Sequence, residues 1–377
     1  MLPLWTLWLP FIACISPDFS LSYVIESVTN REVSPLTQTS FHPQSLLVTG
    51  GAGFIGSNFV RTYIEGNPGA RVTVLDALTY AGNLENLADL EGRFTFARAD
   101  ITDAEAVRAA LTAHEVDTVV HFAAESHVDR SILGPMVFTH TNVLGTHVML
   151  EESRNHGVAR FLHISTDEVY GSLGPEGAFT EESPIDPTSP YAASKAASDL
   201  VVQSYIKTFG FPALITRCSN NYGPYQFPEK LIPLVLINAM NDKALPVYGD
   251  GLNVRDWIHT RDHSLAAMKV LQEGTPGEVY NIGSSNEWTN IDIVRLILKT
   301  LGKPESLITF VKDRPAHDRR YAIDSSKIAR DLGWTATVSF DRGIADTIAW
   351  YQQHEQWWQR VMSGEYMEYY QKQYASR

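Results

Sequence analysis

From residue 45 onward, short runs of apolar residues alternate with longer segments in which apolar residues recur every three or four positions. This alternation predicts buried parallel strands joined by helices that cover both faces of one sheet. The predicted strands are residues 45–49, 71–75, 94–97, 118–122, 160–165, 213–217 and 278–282. The predicted helices are residues 55–65, 104–114, 142–155, 189–209 and 261–273. The expected fold class is therefore α/β, with a doubly wound parallel sheet.

The pattern changes after residue 217, where loops rich in Pro, Gly and Asn are predicted at 220–229 and 246–253. The remainder is predicted to be mostly helical, with a loop at 312–320 that is rich in Pro, Arg and Asp. We predict a dinucleotide-binding domain at 44–218 with a returning segment near 254–283. Residues 219–253 and 284–377 are predicted to form a smaller, mostly helical substrate-binding lobe. Residues 1–43 are expected to be a disordered extension or the result of a start codon assigned too far upstream, with a targeting segment as the alternative.

A glycine-rich turn joins the first predicted strand to the first predicted helix. Residues 50–56 have the sequence GGAGFIG, in which Gly50, Gly53 and Gly56 allow a tight turn and a close approach of the backbone to a pyrophosphate. The phosphates would lie at the helix N-terminus, near Phe54 and Ile55, where free N–H groups favour negative charge. The turn thus predicts a Rossmann-like dinucleotide-binding fold.

Acidic residues after the next two strands indicate which dinucleotide is bound. Asp76 ends the second predicted strand, twenty residues past Gly56, where a carboxylate can accept hydrogen bonds from the adenosine ribose. An acidic group there repels a 2′-phosphate, so NAD is favoured over its phosphorylated form. A turn cap is the structural alternative for Asp76. Asp100 and Ile101, just after the third strand, are weaker candidates for contacts to the adenine edge.

Tyr191 and Lys195 lie four residues apart, on one face of a predicted helix. The ordinary pKa of a tyrosine, about 10, makes it a poor base at neutral pH. A lysine cation beside it, together with a positively charged nicotinamide, is expected to favour the phenolate. Such a tyrosine can take a proton from a sugar hydroxyl while hydride leaves the same carbon. Downstream of a dinucleotide-binding turn, this pair is typical of short-chain dehydrogenases/reductases.

Thr166, Asp167 and Glu168 follow the fifth predicted strand, where catalytic groups of open α/β sheets gather. Thr166 can donate a hydrogen bond to the oxygen that Tyr191 deprotonates. Removal of water across two carbons needs one group that takes a carbon-bound proton and another that protonates the departing hydroxyl. Asp167 and Glu168, held in different protonation states, would supply both groups. The structural alternative is that Asp167 caps a turn while Glu168 points to solvent.

Composition and charge narrow the possible partners. The chain has a net charge of −13, so nucleic acid is not an expected partner and a polyanion would need a local cluster of cations. Arg255 and the loop 313–320 are the best candidates to hold a diphosphate, because guanidinium groups match the geometry of phosphate oxygens. In this loop, Arg319 and Arg320 are more readily explained as solvated ion pairs.

Cysteine usage and the N-terminal segment bear on the compartment. The two cysteines, Cys14 and Cys218, are too few for a disulfide framework or a thiolate metal site, which points to the cytoplasm. His127 and His317 lack the nearby carboxylate spacing of a metal site, so no metal is predicted. The apolar stretch at 2–15 is too short to span a bilayer and lacks the basic residues that begin a secretory signal. No membrane partner is expected.

Several segments, taken together and in order, resemble the dTDP-glucose 4,6-dehydratase family of extended short-chain dehydrogenases/reductases. They are residues 50–56, 123–131, 165–171, 191–195, 218–226, 246–251, 255–257 and 313–320. The likeness extends from Leu46 to the C-terminal region. It departs at Ala316, where the family pattern has Gly, and this departure bears on the expected positions of His317 and Asp318.

The resemblance implies NAD as the cofactor and a nucleotide-diphosphate sugar, dTDP-glucose, as the substrate. The expected cofactor contacts are Gly50, Gly53, Phe54, Ile55, Gly56, Asp76, Asp100, Ile101, Ala123, Ala124, Ser126, Thr141, Tyr191, Lys195 and Asn221. The expected substrate contacts are Ser126, His127, Thr166, Asn220, Lys230, Leu231, Pro246, Val247, Tyr248, Arg255, Asn290, Asp313, Arg314, His317 and Asp318.

The resemblance also implies a three-stage reaction without net redox change. Tyr191 would deprotonate the 4-hydroxyl while C4 gives hydride to NAD⁺. Glu168 would then remove the C5 proton as Asp167 protonates the departing 6-hydroxyl, and the hydride would return to C6. The alternatives are a nucleotide-sugar 4-epimerase, which needs no Asp167 and Glu168 pair, and a dehydratase for a UDP- or CDP-linked sugar. Family members commonly form homodimers through two helices, here expected at 142–155 and 189–209.

Overall fold

The structure, a computed structural model, describes residues 40–362 of the chain. Nearly all of the predicted N-terminal extension, with Cys14, therefore lies outside the described residues. No helix within residues 40–362 is both long and apolar enough to cross a membrane.

The strands within this range are short and mostly buried. They are β1 (Ser45–Thr49), β2 (Arg71–Asp76), β3 (Thr95–Arg98), β4 (Thr118–His121), β5 (Arg160–Thr166), β6 (Ala213–Cys218), β7 (Asn220–Tyr222), β8 (Leu245–Tyr248), β9 (Val254–His259), β10 (Val279–Ile282), β11 (Glu287–Thr289) and β12 (Ile308–Val311).

The helices alternate with these strands. They are α1 (Phe54–Gly66), α2 (Ala104–Ala113), α3 (Val128–Leu133), α4 (Pro135–Phe138), α5 (Thr146–His156), α6 (Pro190–Phe209), α7 (Leu231–Met240), α8 (Thr260–Glu273), α9 (Asn290–Leu301), α10 (Ser326–Leu332), α11 (Phe340–Gln353) and α12 (Glu355–Val361). A 3₁₀ turn spans Asp167–Tyr170, and a π-helical segment spans Thr139–Gly145.

Seven parallel strands form the central sheet in the order β10-β6-β5-β4-β1-β2-β3. Alternate side chains of β1 point to opposite faces, as in any strand. Leu46 and Val48 pack with residues of α1 and α8, whereas Leu47 packs with residues of α2, α5 and α6. Helices thus cover both faces, and the predicted doubly wound α/β fold is confirmed.

The predicted strands of this sheet agree with the structure to within one residue at each end. The predicted helices at 55–65, 104–114, 189–209 and 261–273 are also confirmed, again to within one residue. The helix predicted at 142–155 differs, because its first part is π-helical and continuous with α4, and α5 begins only at Thr146.

A second hydrophobic cluster lies outside the central sheet. It joins apolar residues of α7, α9, α11 and α12, among them Ile232, Ile297, Ile344 and Trp357. The division into a dinucleotide-binding domain and a substrate-binding lobe stays a prediction. Only part of the segment 254–283 returns to the central sheet: β10 joins that sheet, whereas β9 pairs with β7 and β11.

The prediction of loops at 220–229 and 246–253 is wrong at one end of each segment. β7 begins the first segment and pairs with β9, and β8 enters the second and pairs with β12. The remainder of the chain also contains β11 and β12, so it is less helical than predicted. These strands have three or four residues, and Asn and Pro disfavour strands locally. They form because distant segments pair with them.

Candidate active site

A cavity of about 440 Å³ lies where the carboxyl ends of β1 to β6 meet the segments that follow them. Every expected cofactor residue and every expected catalytic residue lines this cavity. The expected substrate residues line it as well, with the exception of Asp313 and Asp318. Residues that are far apart in the sequence are therefore brought to one place.

The glycine turn is shaped by tight contacts at two of its glycines. Gly50 has φ +67°, and a Cβ there would lie 2.6 Å from the Ala123 nitrogen. A Cβ at Gly56 would lie 2.2 Å from the Gly50 oxygen. At Gly53, by contrast, the nearest atom to such a Cβ is 3.2 Å away, and Gly53 lines the cavity. The missing side chain of Gly53 therefore leaves room for a ligand.

The start of α1 fits an anion. Gly53 caps the helix without a side-chain hydrogen bond, and no acidic residue lies in the first turn. Free N–H groups and the helix dipole favour negative charge at such a terminus. A pyrophosphate is the kind of group that this turn can hold.

Asp76 is buried at the end of β2 and is fixed by the turn that it faces. Its Oδ2 accepts a hydrogen bond from Ala52 N at 3.0 Å, and its Oδ1 accepts one from Leu78 N at 2.8 Å. Burial raises the pKa of Asp76, while the two backbone donors act in the opposite direction. The carboxylate thus also serves as a turn cap, the structural alternative that the sequence left open. Its predicted contact with a ribose stays a prediction.

The 3₁₀ turn after β5 holds Thr166, Asp167 and Glu168 together. Thr166 Oγ1 accepts a hydrogen bond from Glu168 N at 3.3 Å and donates one to Asp167 Oδ1 at 3.3 Å. Asp167 is only 2% exposed, and its Oδ2 has no hydrogen-bond partner within residues 40–362. An unpaired buried oxygen at a cavity wall is suited to a protonated carboxyl that donates to a ligand.

The two carboxyl groups differ in the charges around them. Burial raises the pKa of Asp167 well above its ordinary value, and the charge of Glu168 raises it further. Burial also raises the pKa of Glu168, but the cations Arg314, Lys230 and Arg255 oppose this rise. Asp167 therefore favours the acid form and Glu168 the base form, the arrangement that acid–base catalysis requires.

Tyr191 lies in the first turn of α6, beside the 3₁₀ turn. Ser189 Oγ caps the helix by accepting a hydrogen bond from Ala192 N at 3.1 Å. Burial raises the pKa of the Tyr191 phenol well above its ordinary value, the charge of Glu168 adds to this rise, and a hydrogen bond with Thr166 acts against it.

Lys195 makes a contact that the sequence did not predict. Its Nζ donates a hydrogen bond to the Ile164 carbonyl at 2.8 Å, and burial lowers its pKa to about 8. The expected stabilisation of the Tyr191 phenolate by Lys195 stays a prediction.

Three further cations, Lys230, Arg255 and Arg314, line the cavity. Lys230 Nζ donates to the Ser126 carbonyl at 2.9 Å, and Arg255 Nη2 donates to the Asp318 carbonyl at 2.9 Å. Arg314 Nη1 lies 3.6 Å from Asp129 Oδ1. Because the protein as a whole is acidic, this group of cations supplies the local positive charge that a diphosphate needs.

Asp313 and Asp318, which were expected to bind substrate, support neighbouring residues in the structure. Asp313 Oδ1 lies 2.6 Å from His317 Nδ1, and Asp318 Oδ2 accepts hydrogen bonds from Thr188 Oγ1 and Tyr321 OH, both at 2.5 Å. Their carboxylates are thus used to hold the loop that presents His317 and Arg314 to the cavity.

The backbone conformation at Ala316 accounts for the glycine that the family pattern has at this position. It has φ +52°, a left-handed conformation that glycine adopts without strain and that costs other residues about 1 kcal/mol. The loop nevertheless keeps Arg314 and His317 at the cavity wall. Outside the cavity, Arg319 pairs with Asp250 and Arg320 with Glu287, which agrees with the ion-pair explanation of these two arginines.

Sequence analysis missed several polar residues of the wall, among them Asp129, Glu229 and Tyr321. Asp129 Oδ2 accepts a hydrogen bond from Tyr248 OH at 2.8 Å, and Glu229 Oε2 lies 2.9 Å from Arg130 Nε. Asp129 lies in one of the segments that carry the family resemblance, and Glu229 directly precedes Lys230. Their closeness in the sequence to expected site residues was therefore the signal that could have identified them.

Comparison with known proteins agrees with this site. A family model described as GDP-mannose 4,6 dehydratase matches residues 47–347. A dTDP-glucose 4,6-dehydratase of Escherichia coli is 50% identical over 352 residues, which cover 85% of this chain and 97% of that protein. One from Xanthomonas campestris pv. campestris (strain B100) is 53% identical over 340 residues, covering 85% and 96% of the two proteins.

Solved structures show the same relationship. DesIV, a dTDP-glucose 4,6-dehydratase from Streptomyces venezuelae solved with NAD bound, is 51% identical with a TM-score of 0.82 and covers 84% of this chain and 99% of its own. A UDP-glucose 4-epimerase of Thermus thermophilus in complex with NAD is 30% identical with a TM-score of 0.77, covering 82% and 99%.

The fold and the site thus define the class, which comprises the dehydratases and epimerases of the short-chain dehydrogenase/reductase type. At about 50% identity over nearly the full length of its relatives, the chain belongs to the dTDP-glucose 4,6-dehydratase family. The resemblance inferred from the sequence is confirmed.

Proposed function

We propose that this chain is a hydro-lyase that removes water from dTDP-glucose, yielding dTDP-4-keto-6-deoxyglucose with no net redox change. The observation that carries the proposal is the pair of the buried Asp167 and the half-buried Glu168, which lies beside Tyr191 in a cavity with a dinucleotide-binding turn. The dehydratase relatives support this activity over 4-epimerisation.

NAD fits the half of the cavity formed by the glycine turn. Gly53 leaves open space at the uncapped start of α1, and Asp76 lies at the position suited to the ribose. The wall formed by Asp100, Ile101 and Ala123 would hold the remainder of the cofactor. Bound NAD⁺ supplies the hydride acceptor for C4, the hydride donor for C6 and a positive ring charge that lowers the pKa of a nearby phenol.

In the first stage, Tyr191 takes the proton of the sugar 4-hydroxyl while Thr166 donates a hydrogen bond to the same oxygen. Lys195, fixed by the Ile164 carbonyl, holds positive charge behind the phenol. The product of this stage is a 4-ketone, which acidifies the hydrogen on C5.

In the second stage, Glu168 removes the C5 proton and Asp167 protonates the departing 6-hydroxyl, which leaves as water. The cations around Glu168 oppose the rise that burial causes in its pKa, whereas burial and the charge of Glu168 both raise the pKa of Asp167. The acid form is therefore favoured more strongly at Asp167 than at Glu168. In the third stage, Glu168 returns its proton to C5. The proton that Tyr191 gained balances the proton that Asp167 gave up.

The diphosphate of the substrate would lie against Lys230, Arg255 and Arg314, with the nucleotide along Pro246, Val247, Tyr248 and Asn290. Asn221 and His127 would face the sugar and the nicotinamide. The base is proposed to be thymine from the relatives that the chain matches, with UDP- and CDP-linked sugars as outcomes that a substrate panel tests.

We further propose that the enzyme is a cytoplasmic homodimer. Six large apolar side chains are exposed on the consecutive helical segments 128–145 and on α6: Leu133, Met136, Val137, Leu144, Leu200 and Phe209. A second copy of the chain would cover them, since exposed apolar patches of this kind mark interaction surfaces. The low cysteine count supports a reducing compartment.

The activity is tested by incubating the protein with NAD⁺ and dTDP-glucose in D₂O. We expect loss of one water and incorporation of one deuterium at C5, measured by mass spectrometry and NMR. Recovery of dTDP-galactose would replace the proposal with 4-epimerisation.

A substitution separates the stages of the reaction. Glu168→Gln should still oxidise C4, visible as NADH absorbance, but should lose water at least about a hundredfold more slowly, because the base for C5 is missing. Glu182→Gln, which alters an exposed glutamate, serves as the matched control and should dehydrate normally. Normal water loss by Glu168→Gln would contradict the role given to Glu168.

A further inference from the structure

Arg217 is a fully buried charge that the proposed mechanism does not use. It lies on β6, is 2% exposed and does not line the cavity. Burial of a guanidinium is costly unless its charge is paired and its N–H groups are hydrogen-bonded. The partners of Arg217 therefore indicate what this residue is for.

One partner lies on the helix that carries the oxidation residues. Arg217 Nε donates to Asp199 Oδ2 at 2.9 Å, and Asp199 is one helical turn beyond Lys195 on α6. Asp199 is fully buried, and its Oδ1 lies 3.4 Å from His163 Nε2. Burial alone would raise the pKa of Asp199, but the neighbouring His163 and the charge of Arg217 outweigh this effect, so the pKa of Asp199 lies below its ordinary value.

The other partner ends the turn that carries the dehydration residues. Arg217 Nη1 donates to Tyr170 OH at 3.0 Å, and Tyr170 OH donates to Asn281 Oδ1 at 2.8 Å. The Tyr170 ring stacks on Phe179 with centroids 5.1 Å apart. Tyr170 is the last residue of the 3₁₀ turn whose first two residues are Asp167 and Glu168. Its hydroxyl thus fixes the end of that turn to the sheet.

We propose that Arg217 is a positioning residue that holds the two halves of the catalytic machinery in register. Through Asp199 it fixes α6, which carries Tyr191 and Lys195. Through Tyr170 it fixes the turn that carries Asp167 and Glu168. The inference rests on the proposed function, because it assigns oxidation to the first half and elimination of water to the second.

Two substitutions remove one link each. Tyr170→Phe removes the hydroxyl that Arg217 and Asn281 share and leaves the pair of Arg217 with Asp199 intact. We expect elimination to slow between about tenfold and a hundredfold while oxidation persists, since small displacements of a reacting group have effects of this size. Asp199→Asn removes the charge on α6 and leaves the hydroxyl of Tyr170 in place, so oxidation should slow by a similar factor.

The readout is a single turnover of dTDP-glucose by the NAD-loaded enzyme, followed by NADH absorbance and by quenched analysis of water loss. Tyr170→Phe should accumulate NADH, because the step after oxidation has slowed. Asp199→Asn should accumulate none and turn over slowly. Arg217→Lys keeps a positive charge for Asp199, but its single nitrogen cannot reach both Asp199 and the Tyr170 hydroxyl as the guanidinium does, so it should behave like Tyr170→Phe.

Tyr280→Phe is the matched control, because it also removes a buried tyrosine hydroxyl. Tyr280 lies on β10, the strand next to β6, and its hydroxyl accepts a hydrogen bond from Thr275 N at 3.2 Å. It should leave the ratio of the two steps unchanged. If Tyr170→Phe and Asp199→Asn show the same pattern as each other, or if either matches the unchanged protein, the inference is overturned. Failure of the unchanged protein to dehydrate dTDP-glucose would instead overturn the proposed function.

Discussion

The neighbouring residues Asp167 and Glu168 meet different electrostatic surroundings, and this difference assigns their chemistry. Burial and acidic neighbours raise the pKa of Asp167. At Glu168, by contrast, Arg314 and two further cations act to lower the pKa. The sequence supplied the identity and spacing of the pair. It could not supply these surroundings, because the cations come from segments more than sixty residues further along the chain. The same holds for Lys195, whose acceptor is a backbone carbonyl with no signature in the sequence.

At this scale we predict a shift in the pH dependence of elimination for Arg314→Gln. The positive charge of Arg314 lowers the pKa of Glu168, so its removal should raise that pKa. Glu168 must be ionised to remove the C5 proton, and its activity is lost as pH falls through its pKa. The acidic limb of elimination should therefore move to higher pH, measured in single turnovers at saturating substrate.

The control for this experiment is Arg330→Gln, since Arg330 is an exposed arginine paired with Asp331. Its profile should match that of the unchanged protein. An acidic limb that stays in place or moves to lower pH in Arg314→Gln would contradict the environment assigned to Glu168.

Among the elements, the junction of β1 and α1 shows how far local sequence determines structure. The strand is mostly apolar, and the turn has glycine where neighbouring backbone atoms leave no room for a side chain. The apolar strand and the GGAGFIG segment were therefore sufficient to predict the strand, the turn and the helix. β7 and β8 could not be predicted in this way, since Asn220 and Pro246 belong to short strands that depend on pairing with β9 and β12. The π-helical segment Thr139–Gly145, which directly precedes α5, could not be predicted from the sequence either.

The glycines of this junction should respond differently to alanine. Gly56→Ala would place a Cβ 2.2 Å from the Gly50 oxygen, so we expect a loss of about 2 kcal/mol in the free energy of unfolding. Gly53→Ala meets no such contact and should change stability by less than about 1 kcal/mol. Its methyl would instead project where a pyrophosphate binds, so the affinity for NAD⁺ should fall at least about tenfold.

Denaturant unfolding and calorimetric titration of cofactor-free protein with NAD⁺ measure the two effects. Equal loss of stability in both variants, or undiminished NAD⁺ affinity in Gly53→Ala, would show that the two glycines do not divide the roles as the contacts indicate.

Over the whole molecule, the sequence predicted the strands but not their order in the sheet, because only the three-dimensional structure shows which strands are neighbours, such as β10 and β6. It did predict the change after Arg217, where a second hydrophobic cluster begins around Tyr222 and α7. The exposed side chains of residues 128–145 and of α6 belong to this scale too. The sequence shows which residues of a helix are apolar, but only the folded structure shows which of them remain exposed.

We predict that Leu200→Asp weakens the proposed dimer by about 2 kcal/mol, roughly thirtyfold in Kd, because it would place an unpaired charge in an apolar contact. Leu200 is 55% exposed, so the folded protomer should tolerate the change. Sedimentation equilibrium measures the association.

Phe310→Asp is the matched control, since Phe310 is a similarly exposed apolar residue, on β12. It should leave the dimer intact. A monomeric unchanged protein, or a Leu200→Asp variant with undiminished association, would contradict the homodimer.

The buried contacts of Arg217 also constrain how this enzyme can change over evolution. Loss of either member of the pair with Asp199 leaves the other as an uncompensated charge inside the protein, which is strongly destabilising. Homologous sequences should therefore change positions 199 and 217 together or not at all. Variation that adapts the enzyme to a new sugar should be found instead at the cavity wall, where Asn290 and His317 lie. Attempts to redesign its specificity would begin at that wall and keep the three buried residues fixed.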